Sequence, residues 1–236
     1  MKILIVSGFL GAGKTTFIRQ LIPHLKGSVV VLENELGKVA LDGDFLSDLS
    51  DPSTAAPSHS RAPIDIVEMS EGCIHCSMEA DFLTAIRGVR ERFSPDFLII
   101  EPAGTAILSL ILSTLTEAKE ELSLAAPVTV VDAKTFSEHI ETLGGFYRDQ
   151  ICNAPTLILT KLDELPTEEW EMVLDDLFDL NPKVDIVLPP YEDRSPEWWT
   201  GLLEPWPSPS VPMDEPTDEV RELRALPGYD RALLFK

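Results

Sequence analysis

Residues 8–16 combine three glycines, a lysine and two threonines at the spacing of a phosphate-binding loop. They read GFLGAGKTT, which matches the pattern GxxxxGK[ST] and directly follows an apolar run. In such a loop the backbone N–H groups surround a polyphosphate, the lysine reaches the β- and γ-phosphates, and the next hydroxyl ligates Mg²⁺. We therefore expect a nucleoside triphosphate here, with Lys14 acting in catalysis and Thr15 holding Mg²⁺. The residues expected to contact the nucleotide are Gly8, Gly11, Ala12, Gly13, Lys14, Thr15 and Thr16.

A second segment, Glu101-Pro-Ala-Gly104, follows a predicted strand at residues 96–100. An acidic residue at the end of a strand beside a phosphate loop can hold Mg²⁺ or its water, and a nearby glycine lets a backbone N–H meet the γ-phosphate. We expect Glu101 to hold Mg²⁺ and both Glu101 and Gly104 to act in catalysis. The alternative is that Glu101 caps the helix predicted to begin near Thr105.

The segment Thr160-Lys-Leu-Asp163 follows another predicted strand and matches the pattern [NT]KxD of guanine-binding proteins. The carboxylate of Asp163 could accept hydrogen bonds from the N1–H and the exocyclic amine of guanine, a pair of donors that adenine lacks. The stem of Lys161 would cover the base or brace the phosphate loop. We assign Thr160, Lys161 and Asp163 to base binding, while a simple turn at the end of a strand is the alternative.

Cys73, His75 and Cys76 have the spacing of half a zinc site. Two thiolates and an imidazole within four residues could converge on one transition metal ion. The segment itself holds no fourth ligand, which Glu35, Glu71, water or a second subunit could supply. The alternative is two partly buried thiols beside a surface histidine.

Short apolar runs alternate with amphipathic stretches along the chain. The predicted strands are 3–6, 28–32, 64–68, 96–100, 127–131, 156–159 and 184–188, and the predicted helices are 15–25, 78–92, 106–122, 133–143 and 168–180. Continuous apolar runs indicate strands that are buried on both faces. The pattern predicts a three-layer α/β fold with a mostly parallel sheet flanked by helices, in which strand 64–68 is either an edge strand or an antiparallel partner.

Residues 1–190 are expected to form a single P-loop domain. Within it, residues 42–63 are rich in Asp, Ser, Pro and Ala, which predicts a mobile loop insertion. Residues 191–236 contain many prolines and three tryptophans. We expect them to pack onto the domain as a C-terminal extension.

The composition excludes several classes of partner. Lys and Arg total 19 against 40 for Asp and Glu, so the formal charge is −21 and argues against nucleic acid as a partner. No apolar run is long enough to span a membrane, and the N-terminus lacks the layout of a signal peptide. Three cysteines are too few for a disulfide framework, and we expect a cytoplasmic protein.

Together these segments resemble the CobW/HypB/UreG family of P-loop GTPases, and most closely its CobW-like branch. The matching stretches occur in the family's order over roughly residues 1–190: GFLGAGKTT at 8–16, ENELG at 33–37 with LDG at 41–43, EMSEGCIHC at 68–76, EPAG at 101–104, VVD at 130–132 and TKLD at 160–163. The resemblance implies slow, metal-responsive hydrolysis of GTP to GDP with Mg²⁺. It also implies metal delivery to a client metalloprotein, or a part in cobalamin metabolism with a corrinoid protein as partner.

The sequence departs from the family pattern at three points. The family motif is usually Cys-x-Cys-Cys, but His75 replaces the middle thiol, which makes Zn²⁺, Co²⁺ or Ni²⁺ more suitable than Cu⁺. Lys38 stands where the family commonly has Glu, so we assign that position no metal role. The separate C-terminal domain and His-rich stretch of many CobW-like chains are not found, so we expect client recognition to differ.

Two alternative hypotheses assign the chain to other classes of protein. In one, GTP binding gates a protein partner, so the chain is a switch or scaffold without metal delivery and its thiols are incidental. In the other, the chain is a small-molecule kinase, but the candidate lid at 42–63 contains one arginine, Arg61, rather than the several that such a lid uses. The sequence leaves open whether a homodimer completes the metal site.

Overall fold

A parallel sheet forms the centre of the structure. The computed structural model describes residues 1–33, 64–68, 79–117 and 122–206, which include eight strands in one sheet. The strands are β1 Lys2–Gly8, β2 Val29–Glu33, β3 Ile64–Glu68, β4 Phe97–Glu101, β5 Ser123–Leu124, β6 Val128–Asp132, β7 Thr156–Thr160 and β8 Asp185–Val187. Their order is β3-β2-β4-β1-β6-β7-β8, and the short β5 also pairs with β1. Every pairing between these strands is parallel, so the predicted fold class is confirmed.

The question left open for residues 64–68 is answered by β3. It lies at the end of the strand order and pairs in parallel with β2. Among the strands that the structure describes it is therefore an edge strand, and its pairing with β2 is parallel.

Helices connect most of the strands. Those in the described residues are α1 Lys14–Leu21, α2 Glu79–Phe93, α3 Leu108–Glu117, α4 Phe136–Leu143, α5 Gly145–Cys152, α6 Thr167–Leu180 and α7 Pro196–Gly201. The predicted helix 15–25 ends as a helix at Leu21 and continues as a 3₁₀ turn over Ile22–His24, since Pro23 has no backbone N–H to donate. The predicted helix 106–122 corresponds to α3, which begins two residues later than predicted, at Leu108. Residue 122 is not helical, and residues 118–121 lie outside the described residues.

The strands send alternate side chains into two hydrophobic clusters, one on each face of the sheet. Ile3 and Ile5 of β1 belong to the cluster that contains residues of α2, α3, α5 and α6. Leu4 and Val6 belong to the cluster on the opposite face, with Phe17 of α1. Continuous apolar runs were thus a correct sign of strands covered on both faces.

Part of the C-terminal segment packs on the second cluster. Trp199 of α7 is fully buried, and its ring stacks on His24 with 5.2 Å between ring centroids and lies 5.4 Å from the ring of Phe17. The backbone N–H of Trp206 donates to Leu124 at 2.8 Å. Residues 42–63 and 207–236 lie outside the described residues, and the division of the chain at residue 190 stays a prediction. Within the described ranges, no helix has the length and apolar content of a membrane span.

Candidate nucleotide-binding site

The phosphate loop connects the C-terminal end of β1 to the first turn of α1. Gly13 caps α1 with φ of 102°, a left-handed conformation that a residue with a side chain rarely adopts. This conformation lets the loop turn into the helix so that the N–H groups of the first helical turn point toward the loop. The helix N-terminus carries the partial positive charge that suits a phosphate group.

Lys14, Thr15 and Glu101 lie together beneath this loop. The hydroxyl of Thr15 donates to Glu101 and lies 3.1 Å from each carboxylate oxygen. The ammonium nitrogen of Lys14 is 3.7 Å from Oε1 of Glu101 and 3.5 Å from the carbonyl oxygen of Phe9. The side chains of Lys14 and Glu101 are 7% and 11% exposed, so this ion pair is shielded from water.

The register of the sheet explains why Glu101 lies at the phosphate loop. β4 pairs with β1, and Ile100 is opposite Ile5. Both strands run in the same direction, so the last residue of β4 emerges at the edge of the sheet where the loop begins. The Thr15 hydroxyl and the Glu101 carboxylate are oxygen donors of the kind that Mg²⁺ takes, and these two groups therefore fit that ion.

Gly104 lies directly against the phosphate loop. A Cβ atom at this position would be 2.6 Å from the backbone nitrogen of Leu10 and 3.2 Å from the carbonyl carbon of Phe9. Only a residue without a side chain allows this approach between two backbones. The structure thus places Gly104 with the residues predicted for phosphate chemistry.

The TKLD segment contacts the same loop from β7. The Thr160 hydroxyl donates to the carbonyl oxygen of Ala12 at 2.8 Å. The Lys161 ammonium donates to the carbonyl oxygen of Gly11 at 3.0 Å and also to the carboxylate of Asp132. Asp163 follows in an exposed 3₁₀ turn over Leu162–Glu164, where its carboxylate is open to a ligand. Thr16, in the first turn of α1, is exposed as well.

Asp132 ends β6 and takes part in the site, although we assigned it no role from the sequence. It is 5% exposed, and its second oxygen accepts a hydrogen bond from the backbone of Lys134 at 3.0 Å. Burial raises the pKa of the Tyr147 phenol, and the negative charge of Asp132 raises it further. An acidic residue at the carboxyl end of a central strand is a signal that could have identified Asp132.

Gln150 of α5 is a second residue that sequence reasoning missed. Its side chain is fully buried and donates to the backbone between Glu101 and α3. It belongs to no motif, and α5 itself was not predicted. No local signal identified it.

The predicted transition-metal ligands Cys73, His75 and Cys76 lie outside the described residues, as do Glu35 and Glu71. Elsewhere, in the ranges that are described, no group of three or more His, Cys, Asp or Glu side chains is arranged to hold a metal ion. Cys152 is the one cysteine in those ranges, and its thiol donates to the carbonyl oxygen of Leu180 at 3.4 Å. The Cys-x-His-Cys site therefore stays a prediction.

Comparison with known families identifies the domain. The family model described as CobW/HypB/UreG, nucleotide-binding domain, matches residues 2–188 of this chain. Among curated proteins, the zinc chaperone CobW of Pseudomonas aeruginosa is 29% identical over 193 residues, which cover 71% of this chain and 50% of the relative. The zinc chaperone YeiR of Escherichia coli is 30% identical over 174 residues, covering 72% and 49% respectively. The chain thus spans about half the length of these relatives.

Solved structures agree on the fold. Zn(II)-bound YjiA GTPase from E. coli superposes with a TM-score of 0.56 at 23% identity, covering 86% of this chain and 60% of the other. HypB from Helicobacter pylori in complex with nickel has a TM-score of 0.51 at 19% identity, covering 80% and 78%. At these sequence identities, the structural similarity supports the P-loop fold alone.

Proposed function

The chain belongs to the CobW/HypB/UreG family, and from this premise we propose that it is a Mg²⁺-dependent GTPase that delivers a transition metal ion to a client metalloprotein. The observation that carries the proposal is the convergence of Lys14, Thr15 and Glu101 under the phosphate loop, with Lys161 bracing that loop from the guanine-type segment. The names of the relatives support the metal: they are zinc chaperones and, in Dictyostelium discoideum, a zinc-regulated GTPase metalloprotein activator.

Each of the groups that lie close to the phosphate loop has a proposed role in hydrolysis. Lys14 neutralises charge on the β- and γ-phosphates. Thr15 and Glu101 would hold Mg²⁺, which supplies positive charge against the phosphate oxygens when it is bound. Glu101 also orients the attacking water, and the backbone N–H of Gly104 donates to the γ-phosphate.

Basal turnover is proposed to be slow. In the described part of the chain, the cations that contact the phosphate loop are Lys14 and Lys161. Neither has the planar, forked head of an arginine that could bind two phosphate oxygens as charge develops. A client protein, a metal ion or a second copy of the chain would then accelerate the reaction.

Base recognition is assigned to Thr160, Lys161 and Asp163. The exposed carboxylate of Asp163 accepts from the two guanine donors, and the hydroxyl of Thr160 is already used on the carbonyl oxygen of Ala12. Thr160 therefore connects the base segment to the phosphate loop, while Asp163 selects the base.

The metal is proposed to bind at Cys73, His75 and Cys76, with Glu35 or water as a further ligand. Zn²⁺ is favoured over Co²⁺ because the relatives are named for zinc. In the sequence, the motif falls between the strand that ends at Glu33 and the strand that ends at Glu101, and both strands run toward the phosphate loop. We therefore infer that nucleotide state changes the metal affinity.

Equilibrium metal binding in three nucleotide states tests this function. Purified protein is titrated with Zn²⁺ against a chelating dye, without nucleotide, with GDP and with a non-hydrolysable GTP analogue. We expect the affinity to differ by about tenfold or more between the GDP and analogue states, which corresponds to a coupling free energy within the usual allosteric range. Equal affinities in all states would favour the nucleotide-gated switch without metal delivery. The Cys73→Ser/Cys76→Ser variant is the matched control for sites elsewhere on the acidic surface.

A further inference from the structure

The backbone between Glu101 and α3, residues 102–107, is held in place from outside its own segment. Within the segment, the N–H of Ala106 donates to the carbonyl oxygen of Ala103 at 2.8 Å. Gly104 at its centre approaches Leu10 so closely that a Cβ atom would be 2.6 Å from that residue's nitrogen. The position of this segment therefore sets the distance between the Gly104 backbone and the phosphate loop.

Gln150 of α5 makes the hydrogen bonds that hold this segment from outside. Its side-chain Nε2 donates to the carbonyl oxygen of Gly104 at 2.9 Å and to that of Ala106 at 2.9 Å. A primary amide has two N–H donors, and both are spent on this one segment. The side chain is 0% exposed, so water does not compete for either bond.

The oxygen of the same amide, unlike its nitrogen, makes no hydrogen bond to the described residues. This atom, Oε1 of Gln150, is buried. A buried, unpaired acceptor lowers stability, so the residue is not explained by its contribution to folding alone. Its two donors are what the surrounding structure uses.

Helix α5 is held at more than one point, so Gln150 can act as a fixed point even when one of these contacts is lost. The Thr129 hydroxyl on β6 donates to the backbone oxygen of Gln150 at 2.8 Å. The neighbouring Asp149 accepts from the backbone N–H of Ser109, in the first turn of α3, at 3.1 Å. One turn of α5 thus contacts both the segment after Glu101 and the start of the helix that follows it.

We propose that Gln150 is a positioning residue for GTP hydrolysis: it holds the Gly104 backbone against the phosphate loop so that the Gly104 N–H faces the γ-phosphate. The inference rests on the proposed GTPase function and assigns a role to a residue outside the groups proposed to contact nucleotide or Mg²⁺. Pre-positioned backbone donors contribute most where charge develops in the transition state. Gln150 should therefore influence turnover more than nucleotide binding.

The test compares Gln150→Met with Thr129→Val in the full chain. Methionine keeps the length and volume of the side chain but removes both donors. Thr129→Val leaves those donors in place and removes one of the several contacts that hold α5, which makes it the control for a general loosening of that helix. For each protein we would measure kcat and KM for GTP, the Kd for GDP, and hydrogen exchange of the peptide containing residues 102–107.

We expect Gln150→Met to lower kcat by about tenfold and to leave the Kd for GDP within about twofold of wild type. Exchange in residues 103–106 should be faster, whereas Thr129→Val should keep kcat within about twofold. If the methionine variant does not fold, Gln150→Asn, whose shorter amide cannot reach both carbonyls, is measured with the same expectation.

An unchanged kcat in Gln150→Met would overturn the inference, as would an equal loss in Thr129→Val. Both results leave the proposed function intact, provided that the wild-type protein hydrolyses GTP. A wild-type protein that binds no GTP would instead contradict the proposed function, and the positioning role with it.

Discussion

Lys161 donates its ammonium group to the carboxylate of Asp132 and to the carbonyl oxygen of Gly11. The lysine lies 29 residues from the aspartate and 150 from the glycine in sequence, so it connects β6, β7 and the phosphate loop. Its side chain is 39% exposed, whereas that of Asp132 is 7% exposed. The carboxylate of Asp132 thus holds the Lys161 ammonium group in the position where it also contacts the phosphate loop.

Asp132→Asn should weaken GTP and GDP binding alike. The substitution keeps the shape but removes the charge that holds Lys161, and a hydrogen bond to a charged group contributes about 1.5–3 kcal/mol. Since Lys161 is partly exposed, solvent reduces this effect, and we expect a loss of about tenfold in affinity. Titration with a fluorescent guanine nucleotide measures it.

The exposed ion pair between Lys134 and Glu164, with 2.7 Å between the charged atoms, provides the control. Glu164→Gln removes a salt bridge close to Asp132 without touching the phosphate loop. Its nucleotide affinity should stay within about twofold of wild type, as for most exposed pairs. A matching loss in both variants would show that the local charge, rather than the hold on Lys161, determines affinity.

Lys14→Ala and Glu101→Gln should separate binding from turnover. Removing Lys14 takes away the cation that faces the phosphates and leaves the Glu101 carboxylate buried without it, so affinity for GTP should fall by about 100-fold or more. Glu101→Gln keeps a side chain that can accept from Thr15. It should lower kcat by about 100-fold with a smaller effect on affinity, because its proposed role is at Mg²⁺ and the attacking water. Hydrolysis by Glu101→Gln at the wild-type rate would contradict that role.

The sequence was sufficient to predict that several residues of the candidate site lie close together, while their roles stay predictions. Glu101 and Thr160 are the last residues of apolar strands, the phosphate loop begins where another ends, and parallel strands bring their carboxyl ends to the same side of the sheet. Helix α5 was missed because Asp149 and Gln150 are buried polar residues that interrupt the apolar periodicity. Their side chains contact the backbone of Gly104, Ala106 and Ser109, which is 40 or more residues away, so the reason for their burial appears only in the folded chain.

Asp163 should determine the preference for GTP over ATP. Asp163→Ala removes the acceptor for two guanine donors and should reduce the ratio of GTP to ATP affinity by about 30-fold or more, because a site built to pair such donors discriminates strongly. Calorimetric titration of both nucleotides into wild type and variant gives the ratio. Glu164→Ala removes the adjacent exposed carboxylate and should preserve the preference. Equal affinities of the wild-type protein for GTP and ATP would exclude guanine selection by this segment.

Binding of Co²⁺ should reveal the ligands of the proposed metal site. With Cys73, His75 and Cys76 bound to the ion, the protein should show a thiolate-to-metal charge-transfer band and the d–d absorption typical of four ligands. Cys76→Ser should lose most of this signal, whereas His75→Ala should bind more weakly and keep part of the sulfur band. His75→Cys, which restores the usual family motif, should tighten binding of softer ions.

The same site should release metal on acidification. Thiolates and a neutral imidazole bind the ion, so protons compete for every ligand and the affinity for the ion falls as pH decreases. Absorbance titrations between pH 8 and pH 5 should therefore show that the Co²⁺ absorption falls more steeply with pH for wild type than for His75→Ala. Cys152→Ser is the control and should match wild type, because it alters a thiol that donates a hydrogen bond to the carbonyl oxygen of Leu180. If Cys73→Ser/Cys76→Ser bound Co²⁺ as tightly as the parent protein, the thiols would be structural, and a nucleotide-gated protein switch would become the better account.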